Sequence, residues 1–481
     1  MERSEMFFDT NVQLLKYRVL KGVIERYDRG TLSEAYREIP MEIAPGPKPS
    51  MRCCVYKERA ILTERVKLAM GGDKQNPNVI ECIKIGCDEC TVNRYHVGSA
   101  CRGCIAHRCE HACPTGAITV WKGKAHIDQE KCVECGRCAA ACPYSAIMKY
   151  TRPCENACKI GAISMDLDNS AKIDNHKCIS CGACVYQCPF GAIMDKSFIL
   201  DALEILKQSE GNTKYRVYAV VAPSISSQFS YAKTGQVVAG LKAVGFHNVV
   251  EAALGADMVA YEEAAELAEK GFLTSSCCPA FVQYIKSAFP SMVEHISHNP
   301  SPMEAVARFI KRTDPNAKCI FVGPCTAKKM EFQQENVTGV DCVITFEELQ
   351  ALFDARDVTL EALEEELLDN ASYYGRIFAR SGGLSDAVRE ALKERGITPE
   401  QFTAKPLACD GIVECKTALL KASKNVLPEN FIEGMACVGG CIGGAACVTH
   451  GPKDKSEVNK YGQLAKEKTI LDALQVTHLA K

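Results

Sequence analysis

The sequence contains no apolar run near the length of a membrane-spanning helix. Such a helix needs about 20 consecutive apolar residues, and no stretch of the 481-residue chain approaches that length. Residues 1–8 include charges and lack the apolar segment of a secretory signal peptide. We therefore expect a soluble, cytoplasmic protein without membrane attachment.

The chain also lacks an excess of charge of either sign. It has 57 Lys and Arg against 59 Asp and Glu, a formal net charge of −2, and no long basic run. Proteins that bind nucleic acid or anionic membranes usually have an excess of positive charge. The sequence thus predicts no nucleic-acid or membrane partner.

Cysteine, by contrast, is abundant. There are 29 cysteines, and 19 of them precede residue 190, many at spacings of two, three or four residues. Disulfide frameworks belong mainly to small secreted domains, so we interpret these cysteines as thiolate ligands in a reducing compartment. The length allows two or more domains of the usual size, about 100–200 residues each.

Several cysteine runs have the spacing of bacterial ferredoxins. The pattern C-x2-C-x2-C-x3-C-P, which binds iron–sulfur cubes, starts at Cys132 and again at Cys178. A third run starts at Cys101, with two extra residues before its third cysteine, and each unit ends in Ala-Ile. Zinc also binds paired C-x2-C motifs, but the repeated longer runs favour iron–sulfur clusters, which relay electrons.

In two-cluster ferredoxins, three cysteines of a run hold one cluster and the fourth crosses to the other. Applied here, the rule gives three ligand sets: the Cys101 set (Cys101, Cys104, Cys109 and Cys142), the Cys132 set (Cys132, Cys135, Cys138 and Cys113) and the Cys178 set (Cys178, Cys181, Cys184 and Cys158). A Cys154 set would join Cys154 and Cys188 to Cys87 and Cys90. We expect about three to four [4Fe–4S] clusters in this part of the chain.

The assignment of the Cys154 set has alternatives. Cys82, Cys87 and Cys90 would instead form a cluster with Cys53 or Cys54. The three cysteines from Cys82 to Cys90 also have the plant-type [2Fe–2S] spacing, although a fourth ligand is not evident. These schemes remain open from the sequence.

Beyond residue 196 the apolar pattern alternates between strands and helices. We predict strands at 215–222, 248–252, 319–322 and 342–345, and helices at 257–270, 280–289, 302–311 and 346–353; a further helix is predicted at 10–27. This alternation predicts parallel sheets with flanking helices. The expected fold is an accessory helical segment (1–80), an α+β ferredoxin-like domain (81–197) and an α/β catalytic domain (198–481).

Three short segments of the α/β part supply four more cysteines. Residues 274–279, 323–329 and 435–444 contain Cys278, Cys325, Cys437 and Cys441, here called the catalytic quartet. Four thiolates hold one iron–sulfur cube, and loops at strand ends are the usual place for chemistry in α/β folds. The quartet is the predicted catalytic centre.

In spacing and order, these three segments resemble the signature segments of the iron-only, or [FeFe], hydrogenases over about residues 215 to 450. The resemblance implies an H-cluster, in which a cube held by the quartet is joined through Cys441 to a diiron unit with carbon monoxide, cyanide and dithiolate ligands. It implies reversible hydrogen oxidation and proton reduction with a ferredoxin or similar electron carrier. Maturation proteins of the family would supply the diiron unit.

The resemblance also implies roles for residues around the diiron unit. Cys277 matches the thiol that exchanges protons with the cluster, and Glu263, Ser297 and Glu266 match the path from that thiol to the surface. Three further matches concern binding: Lys328 to one cyanide, Pro223 and Ser224 to the other, and Met435 to the apolar wall. Without the resemblance, both glutamates would be ordinary helix-surface residues.

The chain departs from the family pattern at several places. Ala280-Phe281, Gly323, Val438 and Cys447 replace residues that are common there, so direction bias and oxygen tolerance are in doubt. An alternative function is a non-catalytic hydrogen sensor or an iron–sulfur assembly protein of the same fold. A sensor often lacks the proton-exchanging thiol, and an assembly protein should lose the lysine and bridging cysteine, whereas Cys277, Lys328 and Cys441 are all present.

Overall fold

The computed structural model describes residues 7–87, 90 and 94–476. Residues 1–6, on which the expectation of no signal peptide partly depends, lie outside the described residues. So do residues 477–481, which end the predicted catalytic domain. The division of the chain at residues 80 and 197 stays a prediction.

The chain begins with helices, which are α1 (Asn11–Asp28), α2 (Leu32–Ala35), α3 (Ile39–Ile43) and α4 (Val55–Ala69). The Thr10 hydroxyl caps α1 by accepting a hydrogen bond from the Gln13 N–H. Val19, Leu20 and Val23 of α1 are fully buried. The helix predicted at 10–27 is therefore confirmed, and its apolar face lies in a core.

The ferredoxin-like part consists of short strands and single helical turns, which are β1 (Ile80–Cys82), β2 (Arg94–Val97), α5 (Arg108–His111), β3 (Ile118–Trp121), β4 (Lys124–Ile127), α6 (Arg137–Ala141), β5 (Ile147–Tyr150), α7 (Pro153–Ala157), β6 (Ile163–Met165), β7 (Ala171–Ile173), α8 (Ala183–Gln187) and β8 (Ile193–Asp195). All strand pairs are antiparallel: β2 with β5 and β3 with β4 in a first module, and β1 with β8 and β6 with β7 in a second.

The second half alternates strands and helices, which are α9 (Ile199–Gln208), β9 (Val217–Val221), α10 (Thr234–Ala243), β10 (Asn248–Glu251), α11 (Ala252–Lys270), β11 (Leu273–Thr274), α12 (Pro279–Ala288), α13 (Pro302–Thr313), β12 (Lys318–Gly323), α14 (Thr326–Glu331), β13 (Cys342–Thr345), α15 (Phe346–Ala355), α16 (Tyr373–Ile377), α17 (Gly383–Glu394), β14 (Pro406–Asp410), α18 (Ile412–Ala422), β15 (Phe431–Met435), α19 (Asp454–Gln463) and α20 (Ile470–Val476). The predicted fold class, ferredoxin-like followed by α/β, is confirmed.

These strands form two parallel sheets. One has the order β10-β9-β12-β13, which are the four predicted strands, and the other has the order β11-β15-β14. Strand β12 is almost wholly buried, as expected for a parallel strand with helices on both sides. Helix α1 packs into the same hydrophobic core as β9 and β12, against α15. Among the described residues, no helix is long and apolar enough to cross a membrane.

A buried ionic network joins the three parts of the chain. Lys16 Nζ of α1 lies 2.5 Å from Asp195 Oδ1 of β8 and 2.6 Å from Glu347 Oε2 of α15. Lys329 Nζ of α14 lies 2.8 Å from Asp195 Oδ2 and 2.8 Å from Glu348 Oε1. Because buried charges are tolerated only when paired, this network fixes β8 against both α1 and α14.

Candidate active site

The catalytic quartet lies where the two parallel sheets present their loops. Cys278 directly precedes α12 and Cys325 directly precedes α14. Cys437 follows β15, and Cys441 begins a 3₁₀ turn. Helix N-termini favour negative charge, so the two helix-preceding positions stabilise thiolates.

A cavity of about 90 Å³ lies between these loops. Cys278, Cys325 and Cys441 line it, together with the Cys277 thiol and the Lys328 side chain. The rest of its wall is mainly apolar and includes Pro223, Met303, Phe321, Phe378 and Met435. It is therefore a mainly apolar cavity in which several thiols lie near one ammonium group.

The four sulfurs of the quartet face one another. Burial, followed by the neighbouring Cys278, raises the pKa of the Cys325 thiol to about 11. Burial, then Cys325 and Cys278, raises the pKa of the Cys441 thiol to about 12. The pKa of the Cys437 thiol is raised well above its usual range, by burial and then by Cys325, Cys181 and Cys278. Four neighbouring thiols do not all ionise unless a positive charge stabilises the thiolates. A bound metal supplies that charge and deprotonates its coordinating thiols.

The donor set fits a cube better than a single ion. Among the described residues, no three His, Cys, Asp or Glu side chains converge closely enough to hold one metal ion. Zinc requires its ligands about 2.0–2.3 Å from one atom, whereas an iron–sulfur cube spreads four thiolates over four iron atoms. Three quartet cysteines line the cavity and Cys437 interacts with all three, a grouping that fits the second arrangement.

The glycines of residues 439–444 serve the packing of protein backbone. A Cβ on Gly443 would lie 1.9 Å from the Val438 carbonyl oxygen, and one on Gly444 would lie 2.4 Å from the Pro324 carbonyl oxygen. Gly440 also has a φ of +86°, which other residues rarely adopt. These contacts press the Cys441 loop against the Cys325 loop.

Lys328 is held at the cavity by charge. Its Nζ lies 2.6 Å from Glu331 Oε2 and donates to the Cys277 carbonyl oxygen at 3.4 Å. Burial opposes its charge, but Glu331 and then Cys325 outweigh burial and raise the pKa of Lys328. The side chain is thus a buried cation, suited to an anionic ligand of a cofactor.

Ser224 supplies an unsatisfied polar group beside this wall. Its side chain is fully buried in the turn after β9, and its hydroxyl has no hydrogen-bond partner among the described residues. Buried hydroxyls are normally paired. An orphaned hydroxyl next to Pro223 fits a cofactor that accepts its hydrogen bond.

The proposed proton path is connected at its outer end. Ser297 Oγ donates to Glu266 Oε2 at 3.1 Å, and the His298 N–H donates to both Glu266 oxygens. Lys270 Nζ lies 2.7 Å from Glu266 Oε1. Burial opposes ionisation of Glu266, yet the hydrogen bonds from Lys270 and His298 outweigh it and lower its pKa.

The inner end of the path is protonated at neutral pH. Burial raises the pKa of Glu263 to about 8, against an opposing contribution from the Ser297 hydroxyl. Burial, then Glu263, raises the pKa of the Cys277 thiol well above its usual range. The pKa therefore falls from the cavity towards the surface, and Glu263 and Glu266 differ because Glu263 is fully buried while Glu266 is reached by Lys270 and His298.

The structure also brings the N-terminal thiols together in groups. Cys101, Cys104, Cys109 and Cys142 line one small cavity, as in the Cys101 set. In the Cys132 set, Cys138 interacts with Cys132 and Cys113, whereas Cys135 is exposed. In the Cys178 set, Cys184 interacts with Cys181, Cys178 and Cys158. These ligand sets stay predictions. In each of the three, the cysteine predicted to cross from the neighbouring run lies next to other members of its set.

The Cys154 site contains a fifth thiol. Cys154 interacts with Cys188, Cys87 and Cys90, as the predicted set requires. Cys82 is hydrogen-bonded to Cys87, and this bond is the main cause that lowers the pKa of Cys87 to about 6. The sequence alone left Cys82 unassigned, and the structure places it in this group.

The same backbone hydrogen bond occurs where each ferredoxin-like unit ends in Ala-Ile. The alanine N–H donates to the sulfur of the cysteine four residues earlier, at Cys113 (3.2 Å), Cys142 (3.4 Å), Cys158 (3.2 Å) and Cys188 (3.2 Å). Hydrogen bonds to ligand sulfurs tune cluster potentials. This repeated donor fits thiolate ligands at all four positions.

The inner sets adjoin the quartet. Cys181 interacts with Cys278 and Cys437, and Cys184 interacts with Cys154. The Cys178 set therefore lies between the Cys154 set and the catalytic quartet. Clusters in these positions would form a continuous electron path.

Comparison with known proteins agrees with this arrangement. Residues 215–445 match the family model of the iron-only hydrogenase large subunit, C-terminal domain. Residues 100–146 match a 4Fe-4S dicluster domain, and residues 171–194 match a 4Fe-4S binding domain. Residues 215–445 are thus [FeFe]-hydrogenase-like, and 4Fe-4S ferredoxin matches precede them. The resemblance seen in the sequence is thus confirmed, including its iron–sulfur character.

Two relatives are named as hydrogenases. Iron hydrogenase 1 of Clostridium pasteurianum is 28% identical over 390 residues, which are 69% of this chain and 66% of that protein. The periplasmic [Fe] hydrogenase large subunit of Nitratidesulfovibrio vulgaris is 27% identical over 407 residues, which are 72% of this chain and 92% of that protein. The chain thus spans just under two thirds of the clostridial protein.

The chain is also similar to a protein that is not named as a hydrogenase and to a solved hydrogenase structure. Nuclear prelamin A recognition factor of Xenopus laevis is 25% identical over 52% of this chain and 70% of that protein, and its name refers to no hydrogen chemistry. A solved structure from work on oxygen inactivation of [FeFe]-hydrogenase has a TM-score of 0.49 at 19% identity, covering 59% of this chain and 93% of that chain.

Several residues at the site have no local sequence signal. Met303 and Phe378 line the cavity, and Glu331 anchors Lys328, yet none lies in a recognisable motif. The signal available for Glu331 is its position three residues after Lys328 on one helix face. The apolar wall residues come from distant elements and only the fold brings them together.

Proposed function

We propose that this protein catalyses the reversible reaction 2H⁺ + 2e⁻ ⇌ H₂. The observation that carries the proposal is the mainly apolar cavity in which three quartet thiols, the Lys328 ammonium and the Cys277 thiol meet, with the raised-pKa carboxyl of Glu263 next to Cys277. An H-cluster bound there supplies the redox chemistry of hydrogen. The residues of the chain hold the cluster, exclude water and move protons.

Binding of the cofactor is assigned to three kinds of group. Cys278, Cys325, Cys437 and Cys441 would hold the cube, and Cys441 would also hold the diiron unit. Lys328 and the unpaired Ser224 hydroxyl beside Pro223 donate to its anionic ligands. Met435, which is 3% exposed, closes the apolar side.

Proton movement is assigned to a chain of acids. Cys277 exchanges a proton with the site, Glu263 replaces it, and Ser297 links Glu263 to Glu266 at the surface. Because burial raises the pKa of Glu263 to about 8, this carboxyl holds a proton at pH 7 and passes it to Cys277; the carboxylate that this leaves is neutralised when the next proton arrives through Ser297. The lower pKa of Glu266 lets it exchange with solvent.

Electrons are assigned to the N-terminal clusters. The Cys178 set is the immediate neighbour of the quartet, and the Cys154 set follows it. About three to four [4Fe–4S] clusters would complete the relay to a ferredoxin-type carrier. We further propose a cytoplasmic location and maturation proteins that insert the diiron unit.

The decisive experiment compares Cys277→Ala with Cys319→Ala, a buried thiol in β12 away from the cavity. Both are matured anaerobically with a synthetic diiron unit. We expect Cys277→Ala to keep its infrared carbonyl and cyanide bands but to lose H₂ turnover by 100-fold or more, and Cys319→Ala to keep both.

The same measurement separates catalysis from a non-catalytic relative. Intact infrared bands in the wild-type protein without H₂ production or uptake would replace the proposal with a sensor or binding function. If the bands are absent while the N-terminal clusters are still present by iron count, the protein does not bind an H-cluster.

A further inference from the structure

The first ferredoxin-like module has an exposed surface that is both basic and aromatic. Ile105 is 100% exposed, Tyr144 is 54% exposed and Trp121, the single tryptophan of the chain, is 52% exposed. Arg102, Lys122 and Lys124 are exposed among them. These six residues are here called the hairpin surface, because three of them lie on the β3–β4 hairpin.

The hairpin surface surrounds the Cys101 set. A Cβ on Gly103 would lie 2.3 Å from the Gly123 carbonyl carbon, so the loop after Cys101 touches the tip of the hairpin. The Ala125 N–H of β4 donates to Cys101 Sγ at 3.3 Å. Arg102 and Tyr144 line the same cavity as the four thiols of the set. A partner seated on this surface would be next to those thiols.

The positive charge of this surface is not neutralised locally. Residues 101–127 contain Arg102, Arg108, Lys122 and Lys124, and a single acidic residue, Glu110. Glu110 is engaged by His107, whose Nδ1 lies 2.6 Å from Glu110 Oε2. Since the whole chain has a net charge of −2, the basic patch is a local feature that complements an acidic partner.

The aromatic groups indicate a protein partner. Tryptophan, tyrosine and arginine are the residues most enriched at the energetic centres of protein interfaces. Trp121 is held in place, with Lys122 Nζ 4.8 Å from its ring and the His126 ring 4.9 Å away. An exposed indole beside basic groups gives an apolar anchor inside a charged rim, which is the usual anatomy of such an interface.

We propose that the hairpin surface docks an acidic protein that carries one electron at a time. This proposal rests on the proposed function, since it assigns the electron entry point of that reaction. The reduced carrier passes one electron to the cluster of the Cys101 set and is itself oxidised by one electron. Two such transfers supply the two electrons of one H₂.

The test uses the full-length protein with its N-terminal clusters and a small acidic [2Fe–2S] ferredoxin as the probe. The variant Lys122→Glu/Lys124→Glu is compared with Lys421→Glu/Lys424→Glu, which makes the same charge change at exposed positions near the end of α18. We expect the hairpin variant to weaken ferredoxin binding about tenfold or more by calorimetry, with the control unchanged. Binding to the wild type should also alter Trp121 fluorescence and weaken with added salt.

Equal affinities of the two variants, or ferredoxin binding without a change in Trp121 fluorescence, would overturn the proposal. Binding of single-stranded DNA in place of ferredoxin, lost in the hairpin variant, would also overturn it. Hydrogen turnover with methyl viologen, a dye that needs no protein interface, is measured in parallel. Its absence in the wild type would reject the proposed function, while the binding result would still decide the role of the surface.

Discussion

At the scale of single residues, the environment of Glu263 decides its chemistry. No donor is aligned for a hydrogen bond with either buried oxygen of this carboxyl among the described residues. Three residues further along α11, Glu266 receives donors from Lys270 and His298 and its pKa is lowered. The same residue type on one helix face therefore acts as a neutral acid inside and as an anion at the surface.

Glu263→Gln should make the protein more stable, and increasingly so as pH rises. The folded-state pKa of Glu263, about 8, is above the usual value of 4.5. Between these values the folded state binds more protons than the unfolded state, so the wild type loses stability as pH rises from about 4.5 to 8. The variant removes this loss, which is on the order of 1.4 kcal/mol per pKa unit.

Urea unfolding at pH 5 and pH 8.5 measures the effect. The control is Glu269→Gln, an exposed position on the same helix, whose stability difference from the wild type should stay constant with pH. A difference for Glu263→Gln that is equally constant would show that this carboxyl is ionised in the folded protein. H₂ turnover of Glu263→Gln should fall, because glutamine does not carry the proton onward.

At the scale of secondary-structure elements, one glycine sets how the second ferredoxin-like module meets the catalytic loops. Gly182 precedes α8 with a φ of +75°. A Cβ there would lie 2.6 Å from Ala445 Cβ and 2.6 Å from Thr326 Oγ1. The Thr326 hydroxyl also donates to the Ser180 carbonyl oxygen at 2.7 Å. Close approach of the Cys178 set to the quartet depends on this contact.

Gly182→Ala should lower the free energy of unfolding by about 1–3 kcal/mol more than Gly161→Ala. Gly161 has a similar φ of +68° but nothing within 4 Å of its Cβ position, so both variants share the backbone strain and only one is overpacked. Thermal unfolding compares them, and electron transfer from the reduced N-terminal clusters to the quartet should slow in Gly182→Ala alone. Equal melting temperatures would contradict the close contact.

Some elements can be predicted from sequence and others cannot. The strands β9, β12 and β13 are mainly apolar and β10 has two central valines, and the pattern predicts all four. It does not predict the second sheet, since β11 has only two residues and β15 contains a buried Glu433. Glu433 is satisfied by the Ser385 hydroxyl at 2.5 Å and the Gly382 N–H at 2.8 Å, which are distant in sequence. A charge in a strand indicates exposure unless such partners are known.

The candidate site also has parts that can be predicted from sequence and parts that cannot. Cysteine motifs are local in sequence, so their spacing alone is enough to propose the quartet and the crossed pairs. The fifth thiol at the Cys154 site, the Glu331 anchor of Lys328 and the wall residue Phe378 depend on contacts between side chains that no motif connects. Those contacts follow from the packing of helices and loops, which spacing does not encode.

At the scale of the whole molecule, the ionic network around Asp195 ties the relay to the catalytic part. Lys16, Asp195 and Glu347 come from three different regions, and all are nearly inaccessible to solvent. Removing one member of a buried ionic group leaves an uncompensated charge, which is costly. The network therefore contributes to holding the regions in one arrangement.

Lys16→Met should lower the free energy of unfolding by about 3–5 kcal/mol. Lys421→Met, at an exposed helix position, should change it by less than about 0.5 kcal/mol. Adding Glu347→Gln to Lys16→Met should recover part of the loss, because it removes one of the stranded charges. Urea midpoints give all three values, and a small effect of Lys16→Met would mean that Lys329 alone compensates Asp195.

The pairing of β2 with β5 has a consequence for how easily the first module could be separated from the rest of the chain. Arg94 lies opposite Tyr150, so the first and last strands of the first module bring its two ends together. Its described strand pairs are internal, and the β1–β8 pair of the second module joins residues that lie on either side of it in the chain. Removal of residues 94–150 would therefore leave both strand pairs of the second module intact, with the ends to be rejoined already side by side.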